Sequence, residues 1–192
     1  MGVLRIQVLV LLTAILALGC SGKEKPVDQL KKAIRNISSL DGVQTETEKQ
    51  VLSESIAIIK KSAAKGQVDA MYWMSEGRHL DASDPNYVSL KDSVNWLQKA
   101  AMKGHVDAPF VLGDLFSNSD EIKNSEKAYL WYAIGFFQKH SIHSAKDMTE
   151  EQKTEFLSEE NVSLLTKQLG DTKVKEIDDQ AWKWISANTP KK

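Results

Sequence analysis

The chain has 192 residues, of which 42% are hydrophobic and 27% are charged, and its formal net charge is −1. This length is enough for one modest globular domain, and the balanced charge argues against nucleic-acid binding. The single cysteine, Cys20, excludes a disulfide framework, a cysteine zinc site and a redox pair within one chain.

The first residues of the chain have the pattern of an export signal. Residues 1–5 carry one positive charge, and residues 6–18, "IQVLVLLTAILAL", are almost wholly apolar. This apolar stretch is too short for a comfortable transmembrane helix, and small residues follow it, which is typical of a signal peptide. We therefore expect residues 1–19 to be removed on export.

The residues "LALGC" that end at Cys20 resemble the lipobox of bacterial lipoproteins, in which the cysteine is acylated and becomes the new N-terminus. Ala17 stands where the strongest form of that motif has leucine. The alternative is a plain secretory signal with a chance cysteine. Loss of Arg5 with the leader lowers the basic residues from 25 to 24, against 26 acidic residues, and residues 20–26 become a lipidated tether. Ser21 after the cysteine implies, by the same resemblance, an outer-membrane protein that faces the periplasm.

Residues 27–65 are expected to form two N-terminal helices. The stretch "VDQLKKAIRNISSL" spaces its apolar residues so that they share one helical face. The second helix is expected to begin at Thr45, because Thr45 and Glu48 have the spacing of a capping box.

Two segments in the middle of the chain are similar to each other at an offset of 38 residues. Residues 54–77 align without a gap on residues 92–115, with eight identities in 24 positions, and "KGQVDA" lies over "KGHVDA". Self-similarity at this period is typical of helical repeat arrays.

Each copy has the features of a helical hairpin. An apolar stripe at spacings of three and four residues precedes the turn in both copies: Ile56, Ile59 and Ala63, then Val94, Leu97 and Ala101. Gly66 and Gly104 follow, where a helix end favours the left-handed conformation. A second helix then begins, with Asp69 or Asp107 in its first turn. Such hairpins stack, because one hairpin cannot bury its apolar face alone.

The second copy also carries a pattern of small, apolar and aromatic residues that is known from a protein family: Ala108, Leu112, Gly113, Phe116, Ala128, Trp131 and Tyr132. This pattern resembles that of Sel1-like repeats, which are relatives of the tetratricopeptide repeat. The first copy departs from it at Ser75 and Arg78, which replace the glycine and the aromatic residue, and Gly135 stands where alanine is usual. The resemblance implies two repeats over residues 66–139, arranged as a short right-handed α–α solenoid.

Residues 140–192 are expected to cap this array with further helices. One helix is predicted over residues 148–169, where Thr149 and Gln152 have capping-box spacing, and a last helix over residues 171–187. The tail resembles the closing helices that follow many Sel1-like arrays. Because the sequence has no strand pattern, the predicted fold class is all-α, with capping helices at both ends of the repeats.

The sequence carries no recognisable catalytic or metal-binding motif. No GxSxG, HExxH, phosphate-binding loop or paired-cysteine motif occurs. His140 and His143 could share a helical face, but spacing places no third ligand, so two solvated residues are preferred over a metal site. The adjacent acids Asp178 and Asp179 point to different faces and are expected to be solvated rather than catalytic. We therefore predict no enzyme activity, no metal and no cofactor.

The resemblance to tetratricopeptide-like arrays implies a binding groove, which is lined by the first helix of each hairpin. Two rows are expected to face it, one from each repeat: Asp69, Tyr72, Glu76 and His79 (row one), and Asp107, Phe110, Asp114 and Ser117 (row two). Both rows place an aromatic ring between acids, which suits a basic or amphipathic protein partner. The alternative for Asp69 and Asp107 is that they only complement helix N-termini.

Three classes of function remain for a chain of this kind. The first is a lipid-anchored protein-binding module that faces the periplasm, for example an immunity protein that neutralises a secreted toxin acting on the envelope. Small lipoproteins with Sel1-like repeats recur in such roles, so the resemblance suggests this version. The second is an adaptor or scaffold for envelope assembly or for cell-wall enzymes. An enzyme is the third, and the lack of a catalytic motif disfavours it. A monomer is expected, and no nucleic-acid partner.

Overall fold

The computed structural model describes residues 25–40, 45–144 and 147–188. Every secondary-structure element in these residues is helical, which confirms the predicted all-α class. The predicted leader over residues 1–19 and the predicted acylation site Cys20 lie outside the described residues. Within the described ranges, no helix combines the length and the apolar character that a membrane crossing needs.

The described residues form nine α-helices and one 3₁₀ segment. In chain order they are α1 Pro26–Ser38, α2 Glu46–Ala64, α3 Val68–Trp73, the 3₁₀ segment Met74–His79, α4 Leu90–Met102, α5 Ala108–Asn118, α6 Ser125–Lys139, α7 Glu150–Ser158, α8 Glu160–Leu169 and α9 Asp171–Asn188. Helices that follow one another up to α6 pack together, and α6 also contacts α8 and α9. The chain is therefore a short stack of helical hairpins that is closed at its C-terminal end by helices.

Two helix starts are capping boxes, as predicted. The Thr45 hydroxyl accepts a hydrogen bond from the Glu48 backbone N–H at 3.2 Å, and the Glu48 carboxylate accepts one from the Thr45 N–H at 2.8 Å. Thr149 and Gln152 make the same pair of bonds at 3.2 Å and 3.0 Å. Both boxes satisfy N–H groups that the first turn of a helix leaves unpaired.

The two repeat turns are built in the same way. Gly66 and Gly104 have φ angles of +85° and +87°, which is the left-handed region that glycine adopts without strain. The Gly66 and Gly104 N–H groups each bond a carbonyl three residues back at 2.9 Å. The next N–H groups, of Gln67 and His105, reach back five residues at 3.3 Å and 3.0 Å. This is the Schellman arrangement, and it explains why "KG" occurs twice at the same offset.

The predicted apolar stripes form the core of the repeats. Ile56 and Ile59 of α2, like Leu97 and Ala101 of α4, are fully buried. Helix α6 lies at the centre of the fold, because nine of its 15 residues are buried and it contacts α5, α8 and α9. A helix that is buried on nearly all sides is a core element, and here it joins the second repeat to the C-terminal helices.

The second helix of the first hairpin differs from the prediction. Helix α3 has six residues, and the chain continues as the 3₁₀ segment. The loop that follows explains the difference: the Val88 N–H bonds the Gly77 carbonyl at 3.2 Å, and a β-carbon at Gly77 would stand 2.5 Å from Val88 Cγ2. The Arg78 guanidinium also bonds the Ser75 carbonyl at 2.7 Å. In the 3₁₀ segment after α3, these contacts take the place of α-helical hydrogen bonds.

The predicted helix over residues 148–169 is two helices. Helix α7 ends at Ser158, Glu159 has non-helical backbone angles of φ −58° and ψ 128°, and α8 begins at Glu160. The Phe156 side chain is 4% exposed, and its ring lies 4.8 Å from the Phe136 ring of α6. The break at Glu159 therefore lets both short helices pack near α6.

Candidate functional site

Row one lies on α3 and on the 3₁₀ segment. Glu76 and His79 are three residues apart in that segment, where such residues share a face, and Glu76 Oε2 lies 3.8 Å from His79 Nε2. Glu76 Oε1 also pairs with Arg78 Nη1 at 3.1 Å. Asp69 is mostly exposed, and Tyr72 is half-buried. Row one is less acidic than its residue types suggest, because Glu76 already has a basic partner.

Row two lies along α5. Asp107 is the residue that precedes the helix rather than part of its first turn, and its side chain makes no capping hydrogen bond. Asp114 Oδ1 accepts a hydrogen bond from the Tyr132 hydroxyl of α6 at 2.5 Å. Phe110 and Ser117 are half-buried. The carboxylate of Asp107 is therefore exposed and available to a partner.

His105 connects the two rows. Its ring stacks on Tyr72 with a centroid distance of 4.2 Å and an interplanar angle of 8°. Its Nε2 lies 3.9 Å from Asp69 Oδ1, and its Nδ1 accepts a hydrogen bond from the Asp107 N–H at 3.3 Å. Burial lowers the pKa of His105, against the raising effect of Asp107 and Asp69, so the ring is mainly neutral at pH 7. The sequence placed His105 in the turn but did not reveal this stacking.

Carboxylates of both rows raise the pKa of the Tyr72 phenol. Burial raises the pKa of Tyr72 most, the charges of Glu76 and Asp107 raise it further, and Asp114 adds a smaller effect in the same direction. Arg78 opposes them. The phenol therefore stays protonated as a hydrogen-bond donor, and the two predicted rows share one electrostatic environment.

A cleft of about 590 Å³ opens beside row two, between α5, α6 and the C-terminal helices; we name it the α5–α8 cleft. Its apolar and aromatic lining consists of Phe110, Tyr132, Phe136, Phe156 and Val162. Its polar lining consists of Asp107, Lys139, Glu155, Glu159, Glu160 and Asn161. Most of the first group is buried and most of the second is exposed, so the cleft has an aromatic floor and an acidic rim. Asp107 and Phe110 belong to both row two and this cleft.

Side chains from three helices fix the shape of the α5–α8 cleft. The Tyr132 hydroxyl, which donates to Asp114, also accepts a hydrogen bond from Asn161 Nδ2 of α8 at 3.1 Å. The Phe110 ring lies against the backbone of Gly135 in α6. The sequence indicated neither contact, although Gly135 departs from the repeat pattern that the sequence resembles.

Asp178 differs from the prediction that it is solvated. The Tyr129 hydroxyl of α6 donates a hydrogen bond to Asp178 Oδ1 at 3.1 Å. Burial raises the pKa of Asp178 to about 6, and the hydrogen bond from Tyr129 opposes this shift. Its neighbour Asp179 is exposed, so the two acids do point in different directions, as expected. Asp178 helps to hold α9 on α6.

His140 and His143, the two candidate metal ligands, have different environments. His140 follows the last residue of α6, with its Nε2 3.6 Å from Glu155 Oε1, whereas His143 is exposed beyond the helix. The part of the chain that the structure describes contains no group of three or more His, Cys, Asp or Glu side chains placed to hold a metal ion.

Comparison with known proteins finds similarity among solved structures. No protein-family model matches the chain, and no curated protein matches it. Among solved structures, the chain is similar to the crystal structure of a protective antigen present in uropathogenic Escherichia coli strains, which displays an SLR (Sel1-like repeat) fold, with 15% sequence identity and a TM-score of 0.43. The similarity covers 88% of this chain and 34% of that one, so this chain spans about a third of that protein's length.

Proposed function

We propose that the chain is a lipid-anchored protein-binding module that holds a partner protein along rows one and two. One observation carries the proposal: His105 stacks on Tyr72 of row one and accepts a hydrogen bond from the Asp107 N–H of row two, so the two rows are neighbours. Aromatic side chains next to charged groups are typical of the residues that dominate binding energy at protein interfaces. A binding surface that is already formed on packed helices lowers the entropy lost on binding.

The charges of this surface favour a basic partner. Within the described ranges, no lysine or arginine lies at ion-pair distance from Asp69, Asp107 or Asp114. These carboxylates are exposed, so a basic partner gains attraction without displacing an existing ion pair. Charge complementarity of this kind raises association rates and selects among partners.

The location is a further part of the proposal. The leader over residues 1–19 and the lipobox-like residues before Cys20 support a lipid anchor in the bacterial envelope, with the protein facing the periplasm. We expect Cys20→Ser to move the protein from the membrane fraction to the soluble fraction of the envelope. Retention of the variant in washed membranes would contradict the anchor.

Two roles are compatible with such a module. An immunity protein would bind one secreted, envelope-targeting toxin at about nanomolar strength. An adaptor or scaffold would bind a cell-wall enzyme or an assembly component more weakly. Affinity capture with the mature protein from envelope extracts, followed by mass spectrometry, separates the two by the identity and affinity of the bound protein.

A charge variant of row one tests the binding surface. Asp69→Asn with Glu76→Gln removes two negative charges and retains side chains that can accept hydrogen bonds. We expect the captured partner to bind at least about tenfold more weakly. Asp120→Asn with Glu121→Gln is the matched control, because these acids are exposed in the loop after α5. Equal affinities for the two variants would contradict the proposed function.

A further inference from the structure

The C-terminal helices, which were predicted to cap the repeats, also build one wall of the α5–α8 cleft. The break at Glu159 between α7 and α8 brings the residues on either side of it to this cleft. Phe156 anchors α7 against Phe136, and Asn161 anchors α8 through its bond to Tyr132. The wall is thus held to α6 by contacts on both sides of the break.

The charges around this cleft are unbalanced. Four carboxylates line it, from Asp107, Glu155, Glu159 and Glu160, whereas Lys139 is its only lysine or arginine among the described residues. In the described part of the chain, no ion pair is formed by Asp107, Glu159 or Glu160. Lys139 forms none there either. The carboxylate of Glu155 lies 3.6 Å from His140. The chain therefore surrounds the aromatic floor with negative charge that it does not neutralise itself.

The floor suits a planar cation. Phe110 is half-buried and presents a ring next to the buried rings of Phe136 and Tyr132. A guanidinium group stacks on aromatic faces and donates hydrogen bonds to carboxylates in a fixed fork. The cleft volume of about 590 Å³ is within the usual range of ligand pockets, about 300–1,000 Å³. It can therefore take a long side chain together with an apolar neighbour.

We infer that the α5–α8 cleft holds an arginine side chain of the partner protein, presented on a basic amphipathic segment. This inference rests on the proposed function and adds to it a second contact area and the chemistry of the bound segment. The guanidinium stacks over the aromatic floor and bonds the carboxylates of α7 and of the α7–α8 break, while apolar side chains of the segment cover Phe110. The C-terminal helices then bind as well as cap.

A synthetic peptide tests the inference without knowledge of the partner. The probe is a fluorescein-labelled helical peptide of leucine and arginine with one apolar face, and its control has citrulline, which is neutral and nearly isosteric, in place of every arginine. Anisotropy titrations use the mature protein in detergent. We expect the arginine peptide to bind at least about tenfold more tightly than the citrulline peptide. Equal binding of the two peptides would overturn the cationic occupant.

Protein variants locate the contact. Glu155→Gln with Glu159→Gln removes two negative charges from the cleft and should weaken the arginine peptide at least about tenfold. Asp120→Asn with Glu121→Gln removes the same charge elsewhere and should change binding by less than about twofold. The helical circular dichroism and the melting temperature of both variants are measured first. Similar weakening in both would indicate non-specific attraction and would overturn the assigned cleft.

The same variants separate this inference from the proposed function. If the captured partner is insensitive to Glu155→Gln with Glu159→Gln but sensitive to Asp69→Asn with Glu76→Gln, the cleft inference fails and the binding module stands. If the row-one variant has no effect either, the proposed function fails as well. Loss of partner binding in both variants, with the control unchanged, supports both.

Discussion

The ring of Phe110 lies so close to Gly135 that a β-carbon at position 135 would stand 3.0 Å from the ring atoms Cε2 and Cζ. Alanine is favoured over glycine inside a helix by about 1 kcal/mol. In a Phe110→Ala background, we expect Gly135→Ala to raise the free energy of unfolding by that amount. In the wild-type chain, we expect a smaller increase or a decrease, because the Phe110 ring must move. Urea unfolding of the four proteins measures this coupling, and simple additivity would show that the ring does not press on the glycine.

The Tyr132 hydroxyl is predicted to tie three helices together. It donates to Asp114 of α5 and accepts from Asn161 of α8. We expect Tyr132→Phe to lower the free energy of unfolding by about 1–2 kcal/mol, since one of the lost bonds is to a carboxylate. Tyr87→Phe, at an exposed tyrosine, is the control and should change it by less than about 0.5 kcal/mol. Comparable losses in both variants would argue against the bridging role.

The stability of the fold is expected to depend on the charge of Asp178. Burial raises its pKa from 3.8 to about 6, so between these values the folded chain binds more protons than the unfolded chain. The contribution of this group to stability is therefore largest below about pH 4, and it is lost as the pH rises through about 6. We expect Asp178→Asn to stabilise the protein at pH 7 by about 1–2 kcal/mol and to have little effect at pH 4. Thermal melts from pH 4 to 7 measure this.

Two features make the Asp178 substitution a clean test. The asparagine oxygen can still accept the hydrogen bond from Tyr129, so the charge is removed while this bond is kept. Lys153 and Lys175 line the same cavity as Asp178 and remain in the variant, as does Glu150. Asp179→Asn, at the exposed neighbour, should stabilise the protein less. A variant Asp178→Asn that is less stable than wild type at pH 7 would contradict the prediction.

The tryptophans of the last helix are expected to contribute to holding it on α6. The Trp182 ring stacks on Phe137 of α6 with centroids 3.6 Å apart, and Trp184 packs edge-on against Trp131 at 5.5 Å. Because Trp182 is half-buried, we expect Trp182→Ala to cost about 2–3 kcal/mol in urea unfolding. Trp96→Ala, at a half-buried tryptophan of α4, should cost about 1 kcal/mol. Equal losses would mean that the stack adds nothing specific.

Local sequence signals predicted the ends of several helices correctly. The capping boxes at Thr45 and Thr149 and the left-handed turns at Gly66 and Gly104 all depend on residues within about six positions of one another. Such interactions form wherever the local chain allows them. A single sequence can therefore show where these helices begin and end, and the repeat offset strengthens the assignment of the two turns.

Local sequence signals failed where contacts with another element determined the backbone conformation. The 3₁₀ segment follows from the contact of Gly77 with Val88, and the break at Glu159 accompanies the packing of Phe156 on α6. The sequence around Glu159 contains no proline or glycine to mark a helix end. Tertiary packing overrode the helical pattern at both places.

The candidate site likewise has features that were predicted before the structure and features that only the folded chain shows. The resemblance to tetratricopeptide-like arrays was the basis for the two rows of acids and aromatic rings, and their contact with a partner stays a prediction. The stack of His105 on Tyr72, the bond from Tyr129 to Asp178 and the acidic wall of the α5–α8 cleft required the folded chain. The first two join residues that are more than 30 positions apart, and the wall depends on contacts of α7 and α8 with α6. Periodicity shows which face of a helix is apolar but not which other helix that face will meet.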